Sequence, residues 1–266
     1  MAALSESGKL IRLPWLAERG HRVIMCPVDD ALIFGPRGGL ESIERSVRSI
    51  AEGGPDGILT FSGNISAMPE VFSRIPGIAN LSASTTRSQH SRKVQIHSVE
   101  HAISVGAAAC AFHINLLSRW AGDMISQASH IIADGRRFGL PVLGIVYPRG
   151  EKAGSDEDYE PRIGDDPKYF TDCVAQCAAL ASGLGFDIIK TKFTGTAQSF
   201  RSVTEAAAGI PVLIAGGPLT ETEAVMGMAR EAIKGGATGV SFGRNVFGRE
   251  NPAEFIRQLR TELSKC

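Results

Sequence analysis

The sequence lacks an excess of charge of either sign. Its 266 residues include 28 lysines and arginines and 28 aspartates and glutamates. A domain that binds nucleic acid through its phosphates normally carries a basic excess. The balance therefore argues against nucleic acid as a partner.

Long apolar runs are also missing. No stretch approaches the roughly 20 apolar residues that a membrane-spanning helix needs, and residues 1–9 lack the apolar segment of a signal peptide. The sequence thus predicts a protein without a membrane partner and with a cytoplasmic location.

Cysteine is scarce and irregularly spaced. Cys173 and Cys177 lie four residues apart and share one face of a predicted helix, so a metal pair is conceivable, but no second pair of ligands is nearby in sequence. The odd number and the irregular spacing favour reduced, structural thiols and no bound metal. The five cysteines are Cys26, Cys110, Cys173, Cys177 and Cys266.

Strand-like and helix-like segments alternate along most of the chain. Such alternation predicts parallel strands joined by right-handed crossovers. Eight units in about 250 residues is the size of an α/β protein of the (β/α)8 TIM barrel type. The predicted strands lie at 21–28, 57–61, 78–83, 107–115, 141–147, 187–193, 211–215 and 239–242.

A doubly wound open sheet is the alternative fold. It normally has fewer strands, and no G-x-G-x-x-G turn follows the first strand here. No low-complexity segment, internal repeat or linker divides the chain. We therefore predict a single barrel domain over residues 1–266, with a short N-terminal arm at about residues 1–20.

The stretch 187–195 is the most informative one in the chain. Ile188 and Ile189 favour a strand, and Lys190 follows them directly. Burial lowers the pKa of a lysine, and a neutral amine on a rigid strand can attack a carbonyl carbon to begin Schiff-base chemistry. The alternative is a solvated lysine at a strand end. Lys192 faces the same side of the strand and supplies a neighbouring charge.

Three further side chains lie where predicted strands end, which is where a barrel places its active site. Asp29 is a candidate general base, with a helix N-cap or turn residue as the alternative. Tyr147 is a candidate proton-transfer group, with a packing aromatic at the barrel rim as the alternative. His113 fits a hydrogen-bonded core histidine and a functional one equally well.

Glycine turns follow the last two predicted strands, at Gly216-Gly217 and at Gly243. The backbone N–H groups of such turns approach a phosphate closely, and a helix N-terminus adds a favourable field. Arg244 could add a charged donor or form a surface ion pair. Each turn alone is weak support because glycine is common there, but the two together predict a phosphate site.

Four motifs, in this order, resemble those of the archaeal-type class I aldolases. The family includes fructose-bisphosphate aldolase, 2-amino-3,7-dideoxy-D-threo-hept-6-ulosonate synthase and the autoinducer-2 thiolase. The resemblance covers roughly residues 20–263. The motifs are Val-Tyr-Pro-Arg-Gly at 146–150, the stretch 187–195, Ala-Gly-Gly-Pro at 215–218 and Phe-Gly-Arg-Asn at 242–245.

The resemblance implies metal-free Schiff-base catalysis without a cofactor. Lys190 matches the imine-forming lysine, Tyr147 the proton-transfer tyrosine and Asp29 the first-strand aspartate of the family. It also implies a phosphorylated small-molecule substrate, a phosphorylated ketose whose C–C bond is made or broken, and a homo-oligomer. The candidate residues for substrate and phosphate binding, from the strand ends and the resemblance together, are Gly216, Gly217, Gly243, Arg244, Lys192 and His113.

Residues 81–85 are most similar to the heptulosonate-synthase branch, whose acceptor is aspartate semialdehyde. One departure concerns Asp29-Asp30-Ala31, because members of the family often have Asp-His-Gly there. The polar stretch 149–166 is also longer than usual. The resemblance therefore leaves the acceptor and the proton relay open. The alternatives are a thiolase that transfers an acyl group from a phosphorylated diketone to coenzyme A, and a non-catalytic sugar-phosphate-binding barrel.

Overall fold

Eight parallel strands close into one barrel in the computed structural model, which describes residues 2–17, 20–88, 90–151 and 165–266. The barrel strands are β1 (Val23–Pro27), β2 (Gly57–Thr60), β3 (Gly77–Asn80), β6 (Ala109–Asn115), β7 (Val142–Tyr147), β8 (Ile188–Lys192), β9 (Val212–Ala215) and β10 (Gly239–Ser241). Their spatial order is β1-β2-β3-β6-β7-β8-β9-β10, with β10 paired to β1. The predicted (β/α)8 barrel is confirmed, and the open sheet is excluded.

Helices follow the strands and cover the outside of the barrel. Two helices begin with a proline at the first helical position, directly after a capping side chain: Asp166 accepts from the Tyr169 N–H, and Asn251 from the Glu254 N–H. The helices are α1 (Ala2–Ala17), α2 (Asp30–Phe34), α3 (Ile43–Glu52), α4 (Ser62–Ala67), α5 (Pro69–Phe72), α6 (Val99–Ser104), α7 (Ala121–Phe138), α8 (Pro167–Leu184), α9 (Ala197–Ala206), α10 (Thr222–Lys234), α11 (Arg244–Phe247) and α12 (Pro252–Leu263).

The core has two layers. The larger apolar cluster lies between the strands and the surrounding helices, and a smaller one fills the inside of the barrel. Leu16 of α1 belongs to the inner cluster, so α1 covers the amino end of the strands. The carboxyl end of the barrel is left for polar side chains.

An ion pair attaches α1 to the strand that carries the candidate nucleophile. Lys9 Nζ lies 3.0 and 2.7 Å from the two carboxylate oxygens of Asp187, the residue before β8. The same carboxylate accepts a hydrogen bond from the Val142 N–H at 2.8 Å. Asp187 thus fixes the start of β8 against both α1 and β7.

Two predicted elements differ from the structure. The strand expected at 78–83 ends at Asn80, and β4 (Ser82–Ala83) leaves the barrel to pair with β5 (Val94–Gln95). The amphipathic pattern of residues 116–138 predicts one long helix, but the helix begins only at Ala121. The Leu116 N–H instead bonds to the Tyr147 carbonyl, which extends the contact between the chain segments of β6 and β7.

The remaining expectations concern the polar stretch, the cysteines and membrane-spanning helices. Most of the polar stretch, at 152–164, lies outside the described residues. All five cysteines are free thiols. Within the described ranges, the helices are either too short or too polar to cross a membrane.

Candidate active site

A pocket opens at the carboxyl end of the barrel. It is lined by backbone and side chains that follow β1, β6, β7, β8, β9 and β10. All nine residues predicted from the sequence lie on its wall, so residues more than 200 positions apart meet in one place. They are Asp29, His113, Tyr147, Lys190, Lys192, Gly216, Gly217, Gly243 and Arg244.

Lys190 lies inside the pocket wall, on β8 between β7 and β9. Its side chain is buried, with 7% of the residue exposed, so the solvated alternative is wrong. Burial lowers the pKa of Lys190 below its usual range. The carboxylates of Asp29 and Asp30 oppose this shift, whereas the positive charges of Lys192 and Arg244 reinforce it. The outcome is a larger share of the neutral, nucleophilic amine.

Asp29 occupies the N-cap position of α2, but its side chain makes no capping bond. Instead, Oδ2 accepts a hydrogen bond from Asn80 Nδ2 at 2.9 Å. The carboxylate is buried, and it lines the same pocket as Lys190. Asp29 therefore occupies an N-cap position, as the alternative predicts, but its side chain does not cap the helix.

Tyr147 ends β7 and belongs both to the inner core and to the pocket wall. The rings of Tyr147 and His113 pack edge to face, with their centroids 5.0 Å apart. Two cations also lie near the tyrosine ring: Lys192 Nζ at 5.4 Å and Arg149 Cζ at 5.6 Å from its centroid. Tyr147 is thus both a packing aromatic and a polar group of the pocket.

His113 is buried on β6, and its ring is held in the neutral form. Burial lowers the pKa of His113 well below its usual value, and the positive charges of Lys93, Arg149, His90 and Lys190 act in the same direction. Its Nε2 has no hydrogen-bond partner among the described residues. In a hydrogen-bonded core histidine this nitrogen would have a partner inside the protein. Its lack of one within the described ranges favours a functional role for His113 over a purely structural one.

The glycine turns after β9 and β10 have steric reasons for their glycines. Gly217 has φ +66°, in the left-handed region that glycine adopts without strain. A Cβ on Gly216 would lie 2.8 Å from the Phe242 ring, and one on Gly243 would lie 3.0 Å from the Pro27 carbonyl oxygen. Packing therefore requires glycine at two of these positions and backbone conformation requires it at the third, and all three line the pocket.

Asn245 joins the two turns. It is fully buried, and its Nδ2 donates to the carbonyls of Gly216 at 2.8 Å and Pro218 at 2.9 Å. Its Oδ1 accepts from the Thr220 N–H at 3.0 Å. The side chain following β10 thus fixes the loop that follows β9.

Two polar groups lie beside these turns. The Nε of Arg244 lies 3.8 Å from Asp30 Oδ2. Arg244 therefore forms an ion pair, and both of its members lie on the pocket wall. Ser241 is buried on β10, and its hydroxyl has no hydrogen-bond partner in the part of the chain that the structure describes. Both groups face the space next to the glycine turns.

Sequence reasoning missed His90, which lies on the pocket wall, and two buried polar residues that act on residues of that wall. Asn80 was placed inside a predicted strand, although a polar residue at a true strand end would have pointed to it. His90 reaches the pocket from the loop between β4 and β5, where no periodic pattern marks it. Lys93 is buried in the same loop and donates to Ser84 Oγ at 2.6 Å.

The closed barrel, the buried amine and the glycine turns define an enzyme of the class I, Schiff-base aldolase type. Comparison with known proteins agrees: residues 21–249 match the sequence profile of the DeoC/LacD family aldolases. The chain belongs to this family.

Individual relatives span nearly the whole chain. It is 34% identical over 251 residues to the 2-amino-3,7-dideoxy-D-threo-hept-6-ulosonate synthase of Halobacterium salinarum, covering 94% of this chain and 89% of that protein. It is 31% identical over 241 residues to the 2-amino-4,5-dihydroxy-6-oxo-7-(phosphonooxy)heptanoate synthase of Streptomyces griseus, covering 90% and 83%.

A solved structure of a Schiff-base-forming fructose-1,6-bisphosphate aldolase matches with a TM-score of 0.81 at 27% sequence identity, covering 94% of this chain and 98% of that one. The predicted family, fold and enzyme class are confirmed. The roles of individual residues stay predictions.

Proposed function

We propose that the protein forms a C–C bond between a phosphorylated ketone and aspartate semialdehyde. The observation that carries the proposal is one pocket that holds both a buried lysine with a lowered pKa and the paired glycine turns. The lysine supplies the imine, and the turns supply a phosphate site at the same ketone. The enzyme family acts on phosphorylated substrates, which supports this donor.

The names of the two relatives support the acceptor. Each specifies a seven-carbon product with an amino group at carbon 2 and a ketone at carbon 6. Carbons 1–4 of such a product correspond to aspartate semialdehyde, and carbons 5–7 to a three-carbon ketone. The Streptomyces relative names a phosphate at carbon 7, next to the ketone, which is the arrangement that the glycine turns would accept.

Imine formation comes first. The neutral Lys190 amine adds to the ketone carbon, and a C–N bond forms while the carbonyl oxygen takes up a proton. The carbinolamine then loses that oxygen as water and becomes an iminium ion. Tyr147 is the proposed proton donor for this loss, because it lies on β7, the strand paired with β8.

C–C bond formation follows. Loss of a proton from the carbon beside the iminium gives an enamine, with the nitrogen accepting the electron pair. The enamine carbon attacks the aldehyde, and the aldehyde oxygen takes a proton to become a hydroxyl group. Asp29 is the proposed group that takes the proton from the carbon and then gives one to the aldehyde oxygen, and hydrolysis of the product iminium frees Lys190.

Charge at the pocket supports the binding of an anionic donor. Lys192 and Arg244 lie on the pocket wall on the same side of the barrel as the glycine turns. Both positive charges also favour the neutral form of Lys190. A phosphate that partly neutralises them is bound next to the amine, which keeps the ketone within reach.

The test is borohydride trapping with dihydroxyacetone phosphate, followed by intact mass and peptide mapping. An adduct on Lys190 is expected, absent in Lys190→Ala and retained in Lys192→Ala. An adduct on Lys192 would contradict the assignment of the nucleophile. If neither dihydroxyacetone phosphate nor fructose 1,6-bisphosphate is trapped, the proposed donor is wrong.

The acceptor is tested by mixing dihydroxyacetone phosphate with aspartate semialdehyde and measuring the mass of the product. A phosphorylated seven-carbon amino acid is expected without coenzyme A. A product that forms only from a phosphorylated diketone and coenzyme A would support the thiolase alternative instead.

A further inference from the structure

A buried amide joins two strand ends that are not neighbours in the barrel. Asp29 follows β1 and Asn80 ends β3, with β2 between these strands. Even so, Asn80 Nδ2 lies 2.9 Å from Asp29 Oδ2. Asn80 is 1% exposed, so this hydrogen bond is shielded from competing water.

The orientation of the Asn80 amide follows from its other neighbours. The Ser82 N–H can only donate, and it lies 3.0 Å from Asn80 Oδ1. A flipped amide would bring two donors together there. The nitrogen of the amide therefore faces Asp29, and it donates to the carboxylate.

The same reasoning fixes the hydroxyl of Ser82. The His113 N–H donates to Ser82 Oγ at 3.0 Å, so Ser82 Oγ in turn donates to Asn80 Oδ1 at 2.9 Å. The direction of every bond is set from the β6 backbone through Ser82 and Asn80 to Asp29. All these side chains are buried, and the chain of bonds holds the carboxylate in one place.

We propose that Asn80 is a positioning residue for proton transfer by Asp29. Its donated bond engages Oδ2 and holds the carboxylate in place, so that Oδ1 exchanges the proton with the reacting oxygen. Ser82 keeps the amide from turning over. This inference rests on the role of Asp29 in the proposed function.

Asn80→Asp is the sharpest variant. It keeps the size of the side chain and the acceptor that Ser82 uses, but it replaces the donor that faces Asp29 by a carboxylate oxygen, which cannot donate and whose negative charge repels that of Asp29. We expect kcat for C–C bond formation to fall by about tenfold or more, while KM for dihydroxyacetone phosphate changes by no more than about threefold. Borohydride should still trap the donor on Lys190.

A double-mutant cycle separates positioning from a general structural effect. If Asn80 acts through Asp29, its substitution costs nothing further once the carboxylate is gone. Asn80→Asp in the background of Asp29→Asn should therefore leave kcat within about threefold of Asp29→Asn alone. The inference would be overturned if the two substitutions lowered kcat multiplicatively in the double variant. An unchanged kcat in Asn80→Asp itself would also overturn it.

Asn64→Asp is the matched control. Asn64 Nδ2 donates to Thr60 Oγ1 at 2.8 Å, at the carboxyl end of β2, and its residue does not line the pocket. The kcat of the Asn64→Asp variant should match that of the unsubstituted protein. Asn80→Leu, measured with the same cycle, replaces Asn80→Asp if that variant does not fold. Failure of trapping in the unsubstituted protein would instead remove the proposed function.

Discussion

The imidazole of His113 meets the phenol ring of Tyr147 edge to face, at an interplanar angle of 83°. Such a contact stabilises both rings through packing, and it leaves His113 Nε2 without a partner in the described chain. The nitrogen is thus available to a hydroxyl or carbonyl group of the substrate. In the proposed mechanism the two residues have different roles: His113 packs and binds the substrate, and Tyr147 transfers protons.

His113→Phe keeps the ring contact and removes the nitrogen. We expect kcat/KM to fall by about tenfold, because one hydrogen bond to the substrate is lost. The midpoint of urea unfolding should stay close to that of the unsubstituted protein. An unchanged kcat/KM would mean that His113 serves only packing.

Arg244→Met should raise KM for dihydroxyacetone phosphate by about tenfold or more and lower kcat less, because the phosphate is held similarly in the ground and transition states. Trapping of unphosphorylated dihydroxyacetone by borohydride is the control. It should be equal in the two proteins at a saturating concentration. A fall in kcat alone would place Arg244 in the chemical step.

The lowered pKa of Lys190 predicts a pH dependence of imine formation. The neutral amine attacks, so the trapping rate should rise with pH and level off below the ordinary lysine value of 10.5. Single-turnover trapping across the pH range measures this plateau. A rate that continues to rise up to that value would show a fully solvated amine.

Lys190→Met should raise the free energy of unfolding near neutral pH. The unfolded chain binds more protons than the folded one between the lowered and the ordinary pKa, so the stability of the unsubstituted protein increases with pH over that interval. The advantage of the variant is therefore largest below the folded pKa and shrinks as pH rises toward 10.5. Urea unfolding at several pH values measures the difference, and a constant difference would contradict the sign.

Lys9→Met tests the anchor of β8. The ion pair with Asp187 is largely buried, with side-chain exposures of 11% and 15%. Removing the lysine leaves the carboxylate with less compensation, at a cost of about 1–3 kcal/mol in unfolding free energy. Lys168→Met is the matched control, because its partner Asp172 and the lysine are both exposed, and less than about 0.5 kcal/mol is expected.

Much of the fold was predictable because the strands are separated by helices with strong end signals. Two helices begin at Pro167 and Pro252, each directly after a capping side chain, and another ends at Gly139, which adopts the left-handed conformation. Each of these signals has a local cause. The departure of β4 from the barrel was not predictable. Its residues are as small and as buried as those of a barrel strand, and only the tertiary pairing with β5 separates them.

The site was predictable where it lies at strand ends. Lys190 and Tyr147 follow apolar runs, and the barrel brings such positions together. Residues that act through other residues leave no such signal. The role of Asn245 depends on carbonyl groups of another loop, and that of Asn80 on a strand two places away, so both require the assembled barrel.

Closure of the barrel also confines the reactivity of the amine to the folded protein. The pairing of β1 with β10, which joins Val23 to Gly239, completes the barrel on whose pocket wall Lys190 lies. In the unfolded chain this lysine is solvated like any other, so the lowered pKa belongs to the folded state alone.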